Sequence, residues 1–151
     1  MFDKLFSKLK GDKAEPEDNT SAEEKNRVAF TALLVEAARA DEIYTDKEKG
    51  LIAKLVKQQF AIDDADALAL REKAEAAQAE ANDLYRFSST VKNGLTPEEK
   101  IQLIEGMWQI ILSDDARDPY EDMIVRRLCG LIYMSDHEAH EARRRVEQRQ
   151  E

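Results

Sequence analysis

With 151 residues, 42% of them hydrophobic and 36% charged, the chain has the size and balance of one globular domain that buries a core without disulfides or a structural metal. The excess of 32 acidic over 23 basic residues, a formal charge of −9, speaks against a nucleic-acid partner, because phosphate backbones are gripped by clustered Lys and Arg; other proteins and cations are the expected partners. A single cysteine, Cys129, rules out an intrachain disulfide, and between Leu128, Leu131 and Ile132 it reads as a buried thiol suited to a reducing, cytoplasmic compartment.

Only 5 Gly and 3 Pro interrupt the chain, and no stretch alternates apolar and polar residues long enough for a strand. The fold class is therefore all-α. No apolar run reaches the roughly 18 residues that a bilayer span requires, and "MFDKLFSKLKGD" has no continuous apolar core of the signal-peptide kind.

Residues 1–10 form a short amphipathic helix with Phe2, Leu5, Phe6 and Leu9 on one face and Lys4, Lys8 and Lys10 elsewhere. Residues 11–22 read as a polar, flexible linker, and 23–151 as the main domain. Tethered in this way, the apolar face suits a membrane surface near the inner membrane or a partner protein; packing on its own domain is the other reading.

Ser21 with Glu24 makes a capping box that opens a helix from about Ala22 to Ala40, with Val28, Phe30, Leu33, Leu34 and Val35 as its apolar residues. Thr45 with Glu48 makes a second, opening a helix with the stripe Leu51, Ile52, Leu55, Val56 and Phe60. From Asp63 to Ala81 the chain is rich in Ala and Glu with large apolar residues only at Leu68 and Leu70, the pattern of a surface helix. A shorter helix carries Leu84, Tyr85, Phe87 and Val91 and stops at Asn93-Gly94. Thr96-Pro97-Glu98-Glu99 supplies an N-cap, a proline in the first turn and a closing Glu. The helix that follows, apolar on most sides from Ile101 to Leu112, is the predicted centre of the bundle, with Met107 and Trp108 as core residues. Asp118 to Glu121 repeats the cap, proline and Glu pattern, and Ser135 with Glu138 opens the last helix.

A shift of 73 residues brings the two halves into register: Asp41 meets Asp114, Glu48 meets Glu121, Leu55 meets Leu128 and Asp63 meets Asp136. Thr45 and Asp118 fall together as N-caps. The predicted architecture is a single bundle of about seven helices, built from two αα-hairpins related by a pseudo-twofold, each with an acidic turn between its helices.

The two matched stretches, "RADEIYTDKEKGLIAKL" and "LSDDARDPYEDMIVRRL", resemble the acidic turn, following Glu and LIxxL-type helix of the tellurite-resistance TerB-like family, which includes the N-terminal region of the DnaJ-like co-chaperone DjlA. The resemblance spans about Arg27 to Arg145. It implies a non-enzymatic helical bundle with paired acidic loops, linked in some members to divalent cations and to bacterial stress complexes near the inner membrane. This chain departs from the family where Gly tends to follow the loop Asp: it has Glu42 and Asp115, residues less suited to positive φ.

As a site, Asp41, Glu42, Asp46 and Glu48 with Asp114, Asp115, Asp118 and Glu121 offer hard oxygen ligands for weak binding of Ca²⁺ or Mg²⁺. Asp41, Glu42, Asp114 and Asp115 lie at helix C-termini, where the helix dipole disfavours carboxylates and a cation would relieve them. The competing reading is that Glu48, Asp118 and Glu121 are spent as caps and Asp46 sits in a first turn that welcomes negative charge. Neither turn has EF-hand spacing. His137 and His140, spaced i and i+3, read as surface residues of a helix. Arg143, Arg144, Arg145 and Arg149 complement a helix C-terminus, contact an acidic partner, or reach the turns themselves. No grouped nucleophile, base and orienting acid suggests an enzyme. The alternative to a cation-binding stress protein is a metal-free interaction or co-chaperone-type module that docks to a membrane-associated partner.

Overall fold

The structure, a computed structural model, describes residues 14–81, 84–113 and 119–149, with side chains from Ala22 onward except that of Pro119. Seven helices follow one another among these residues: α1 (Ala14–Ala38), α2 (Asp46–Phe60), α3 (Asp64–Ala81), α4 (Leu84–Gly94), α5 (Pro97–Leu112), α6 (Pro119–Leu131) and α7 (Asp136–Arg149). The all-α bundle expected from periodicity is what the chain adopts. The amphipathic segment 1–10, with Phe2, Leu5, Phe6 and Leu9, lies outside the described residues.

Helix α1 starts earlier than its capping signal suggests. It runs from Ala14, so Ser21 is an interior helical residue and the expected linker over 11–22 is helical from Ala14 onward. Ala14-Glu15 is a strong helix-forming pair, and Pro16 falls in the first turn, where its missing N–H would have had no intrahelical partner. A box of SxxE type thus marks a start only where no helix-competent segment precedes it.

Two helices form the centre. From Ala29 to Val35, and again at Ala37 and Ala38, α1 is buried on every side, and α5 buries Leu103, Ile104, Met107, Trp108, Ile110 and Ile111. They approach closely at Gly106, where a Cβ would lie 3.1 Å from Leu34 Cδ2. Helices α2, α3 and α4 flank α1, α7 covers the far side of α5, and α6 bridges α4, α5 and α7.

Helix α3 is not the surface helix its composition suggests. It packs along α1 through Ala67, Leu70, Ala74 and Gln78, all buried, while Leu68 faces outward. Small residues at helical spacing let two helix axes come close, and the packing gained there is invisible to a search for large apolar side chains.

The 73-residue register holds at the starts of α2 and α6, where Glu48 and Glu121 are both buried, and slips by one at their ends. The left-handed residue after α2 is Ala61 and after α6 is Tyr133. Ile62 N donates to Lys57 O at 3.2 Å, as Met134 N does to Cys129 O at 2.9 Å. Asp63 and Asp136 are consequently not equivalent: Asp63 caps α3 by accepting from Asp66 N at 2.8 Å, whereas Asp136 is the first residue of α7 behind the cap Ser135. Nor is the two-helix hairpin the main packing unit. Helix α1 packs more extensively on α3 than on α2, and α5 more on α7 than on α6.

Candidate functional site

The first acidic turn is held by local hydrogen bonds. Arg39 N donates to Val35 O at 2.9 Å as α1 ends, and Glu42 N donates to Arg39 O at 2.9 Å. Glu42 then takes φ 68°, the left-handed conformation expected to need Gly, so the turn keeps that geometry with a Glu in place. Asp41 Oδ1 accepts from Ile43 N at 3.0 Å, a side-chain turn that fixes the exit of the loop. Thr45 and Glu48 complete the expected box: Glu48 N donates to Thr45 Oγ1 at 3.1 Å and Thr45 N to Glu48 Oε1 at 2.9 Å.

These bonds sort the predicted ligands. Glu48 and Glu121 are 3% and 1% exposed and belong to the interior. Asp46 is fully exposed, with Lys49 Nζ 3.9 Å away. Asp114, Asp115 and Asp118 lie outside the described residues. Among the described residues no three His, Cys, Asp or Glu side chains gather closely enough to hold a metal ion. Lys47 Nζ, near the start of α2, donates to the carbonyl of Ser113, the last described residue after α5, at 3.0 Å.

Behind the first turn stands a polar network that the sequence did not announce. The hydroxyl of Tyr44 donates to a carboxylate oxygen of Glu75. Arg71 Nη1 donates to Lys49 O at 3.1 Å, and its Nε lies 3.1 Å from Glu75. Arg39 stacks on the Tyr44 ring at 4.9 Å and donates to Gln78 Oε1 at 2.5 Å, while Gln78 Nε2 donates to Glu36 Oε1 at 2.7 Å. Burial first, and then the Glu75 carboxylate, push the Tyr44 hydroxyl well above the ordinary phenol range. The network ties α3 to the end of α1 and the start of α2. Its residues are far apart in sequence, and only the packing of Ala67, Leu70 and Ala74 on α1 brings them together.

The four C-terminal arginines are taken up by this chain's own acids. Arg145 and Arg149 both hold Glu105 of α5, at 2.8 and 2.7 Å, fastening α7 to the central helix. Arg144 pairs with Glu141 at 2.7 Å. Arg143 pairs with Glu147 at 3.0 Å, approaches Asp122 at 3.9 Å beside the second turn, and lies on the Trp108 ring at 4.4 Å. His137 and His140 are exposed on α7.

Two grooves flank α6. One, of about 440 Å³, runs between α4, α6 and the end of α1, with Leu84, Tyr85, Tyr120, Met123, Glu36 and Arg127 on its walls. Tyr85, Tyr120 and Met123 are 68%, 47% and 45% exposed, a cluster of large apolar side chains on one surface. The other, of about 410 Å³, lies between α5, α6 and α7. Cys129 borders it, buried, its thiol pushed up to about 11 by burial and then by the charge of Asp136; at neutral pH it is a protonated packing group, as its apolar neighbours predict.

No curated protein and no solved structure matches the chain. A family model described as Tellurite resistance protein TerB matches residues 27–144, from the first buried turns of α1 to the arginines of α7. The match covers both acidic turns, both grooves and most of the chain. On that extent, the chain belongs to the TerB family.

Proposed function

We propose that this TerB-family chain is a non-catalytic domain that recruits another protein through the groove between α4 and α6, within stress complexes of the tellurite-resistance type. The observation that carries the reading is the cluster of Tyr85, Tyr120 and Met123 around that groove, exposed to a degree that a closed core does not require. Aromatic residues, Met and Arg are the types enriched where protein interfaces concentrate their binding energy. Among the described residues no helix is long and apolar enough to cross a membrane, so such a partner would be met at the surface of the bundle.

A photo-crosslinking residue in place of Met123 tests this in cells, with the same residue in place of Leu68, exposed on α3, as control. One discrete adduct from position 123 and none from 68, lost in Tyr85→Ala, supports recruitment through the groove. Equal labelling from both positions, or none from either, refutes it.

A divalent cation is the second reading, favoured by the full exposure of the Asp46 carboxylate and the exposure of Glu42 beside it. Under Mg²⁺ or Ca²⁺ at constant ionic strength, amides of residues 41–48 and 119–122 would shift together and saturate. Independent or non-saturating shifts would leave the carboxylates as caps.

A further inference from the structure

Helix α6 presents one continuous stripe to the groove it forms with α4. Tyr120, Met123, Ile124, Arg127 and Leu131, at i, i+3, i+4, i+7 and i+11, all border it, so the stripe runs the length of α6, about 17 Å at the rise of an α-helix. Ile124 and Leu84 of α4, 3% and 8% exposed, form the floor, while Tyr85, Tyr120 and Met123 stand out into solvent. Just past the end of α6, Tyr133 is 80% exposed, with Lys92 of α4 over its ring at 4.8 Å. Four of the six exposed large apolar side chains among the described residues thus gather on or next to these two helices, where scattered single residues would have needed no explanation.

A short helix suits this surface. The four side chains leave about 500 Å² exposed, below the roughly 800 Å² per partner of a stable interface between folded proteins, so the patch matches one segment better than the face of a second copy. An extended segment would lay its backbone N–H and C=O groups over Leu84 and Ile124, and both walls are helices whose own backbone bonds are closed, so no sheet edge is there to pair with it. A helix meets its backbone bonds internally and presents side chains at the same three- and four-residue spacing as the stripe.

Charge selects the sign of the occupant. Arg127 lies at the middle of the stripe, and Lys92 beside its C-terminal end. The described carboxylates nearby are turned elsewhere: Glu121 is 1% exposed, Asp122 faces Arg143 at 3.9 Å on the other side of α6, and Glu36 accepts from Gln78 at 2.7 Å. Helix α4 has no acidic residue. The C-terminal half of the groove is therefore basic in a chain of net charge −9, and the chain's own segment 1–10, with Lys4, Lys8 and Lys10, carries the wrong sign to fill it. We infer that the groove takes an amphipathic helix of about three turns from a partner protein, its apolar residues at i, i+3 and i+7 laid between Tyr85 and Met123 and its acidic residues set against Arg127 and Lys92. This rests on the recruitment reading above and specifies its partner.

A phage-displayed library of random peptides of about 16 residues, selected on the full chain and counter-selected on Met123→Asp, tests the inference. Enriched peptides are expected to share apolar residues at i, i+3 or i+4 and i+7 with Asp or Glu between them, and to become helical when bound, read by NMR of the isotope-labelled peptide. Arg127 is exposed, so Arg127→Glu should keep the thermal melt while weakening these peptides at least about tenfold, one charge-assisted pair turned into a repulsion. Selection repeated on Arg127→Glu should enrich Lys and Arg in place of the acids. Proline-rich or basic motifs on the unaltered chain, enrichment that Met123→Asp does not remove, or full affinity in Arg127→Glu would overturn the inference. The crosslink from position 123 separates it from the reading beneath it. An adduct mapped to an acidic helix of another protein supports both, and one mapped to a basic or non-helical segment leaves recruitment standing but overturns the helix. An adduct of the purified chain with itself makes a second copy or segment 1–10 the occupant, and neither adduct nor enrichment overturns both.

Discussion

Glu42 holds a backbone conformation that its side chain disfavours. A φ of 68° places Cβ close to the following carbonyl, at roughly 1–2 kcal/mol for a residue other than Gly. Replacing it by Gly removes that strain but loosens the unfolded chain by about 0.4–1 kcal/mol. The first effect is the larger, so Glu42→Gly is expected to stabilise the domain by about 0.5–1 kcal/mol, read as a raised urea midpoint at constant slope. Glu42→Val, branched at Cβ, should move the midpoint the other way. If both variants lower stability alike, the turn does not hold residue 42 in the left-handed region. The capping boxes of Thr45 and Thr96 were legible in the sequence because each is a bond between residues three apart. The left-handed Glu was not, since nothing in its own identity asks for positive φ and only the short reach from α1 to α2 imposes it.

The same contrast appears among helices. Signals written within one element carried through: α5 as the buried centre, Pro97 and Pro119 in first turns, Gly94 at a helix end. Signals that depend on a neighbour did not, and α3 is the clear case, because an alanine stripe acquires meaning only from the helix it lies on. Likewise, within the predicted acidic site Asp41 makes a turn bond and Glu48 a cap, and the grooves beside α6 came into view only when α4, α5 and α7 were in place. Two glycines give a test at this scale. A Cβ on Gly50 meets nothing within 4 Å, whereas one on Gly106 meets Leu34 at 3.1 Å and Leu55 at 3.7 Å. Gly50→Ala should therefore gain the full helix-propensity difference of about 1 kcal/mol. Gly106→Val adds methyl groups between the two buried central helices and should lose about 1–3 kcal/mol through overpacking. Equal effects of the two substitutions would mean that α1 and α5 do not meet at Gly106.

For the molecule as a whole, two interior acids that keep their protons set the alkaline limit. Cys129 is 4% exposed, and its thiol is raised from 9.0 to about 11; Tyr44, half-buried against Glu75, is raised as well. Below pH 9 the thiol is protonated in both folded and unfolded chains, and the stability that goes with its burial is fully present. Between pH 9 and 11 the unfolded chain loses the proton while the folded one retains it, which draws the equilibrium toward unfolding. Above the folded value the thiolate must form inside the core, and the loss, on the order of 2–3 kcal/mol for the thiol, is complete. The urea midpoint should hold steady from pH 7 to 9 and fall from 9 to 11. Cys129→Ala should be less stable at pH 7 through the missing sulfur yet show a shallower fall, so that the two curves converge as pH rises. Tyr44→Phe should flatten the descent further only at the upper end, where the phenol of the unfolded chain loses its proton while the folded one, held by burial and Glu75, keeps it. Parallel curves for wild type and Cys129→Ala would show that the thiol ionises alike in both states and that α6 and α7 do not enclose it.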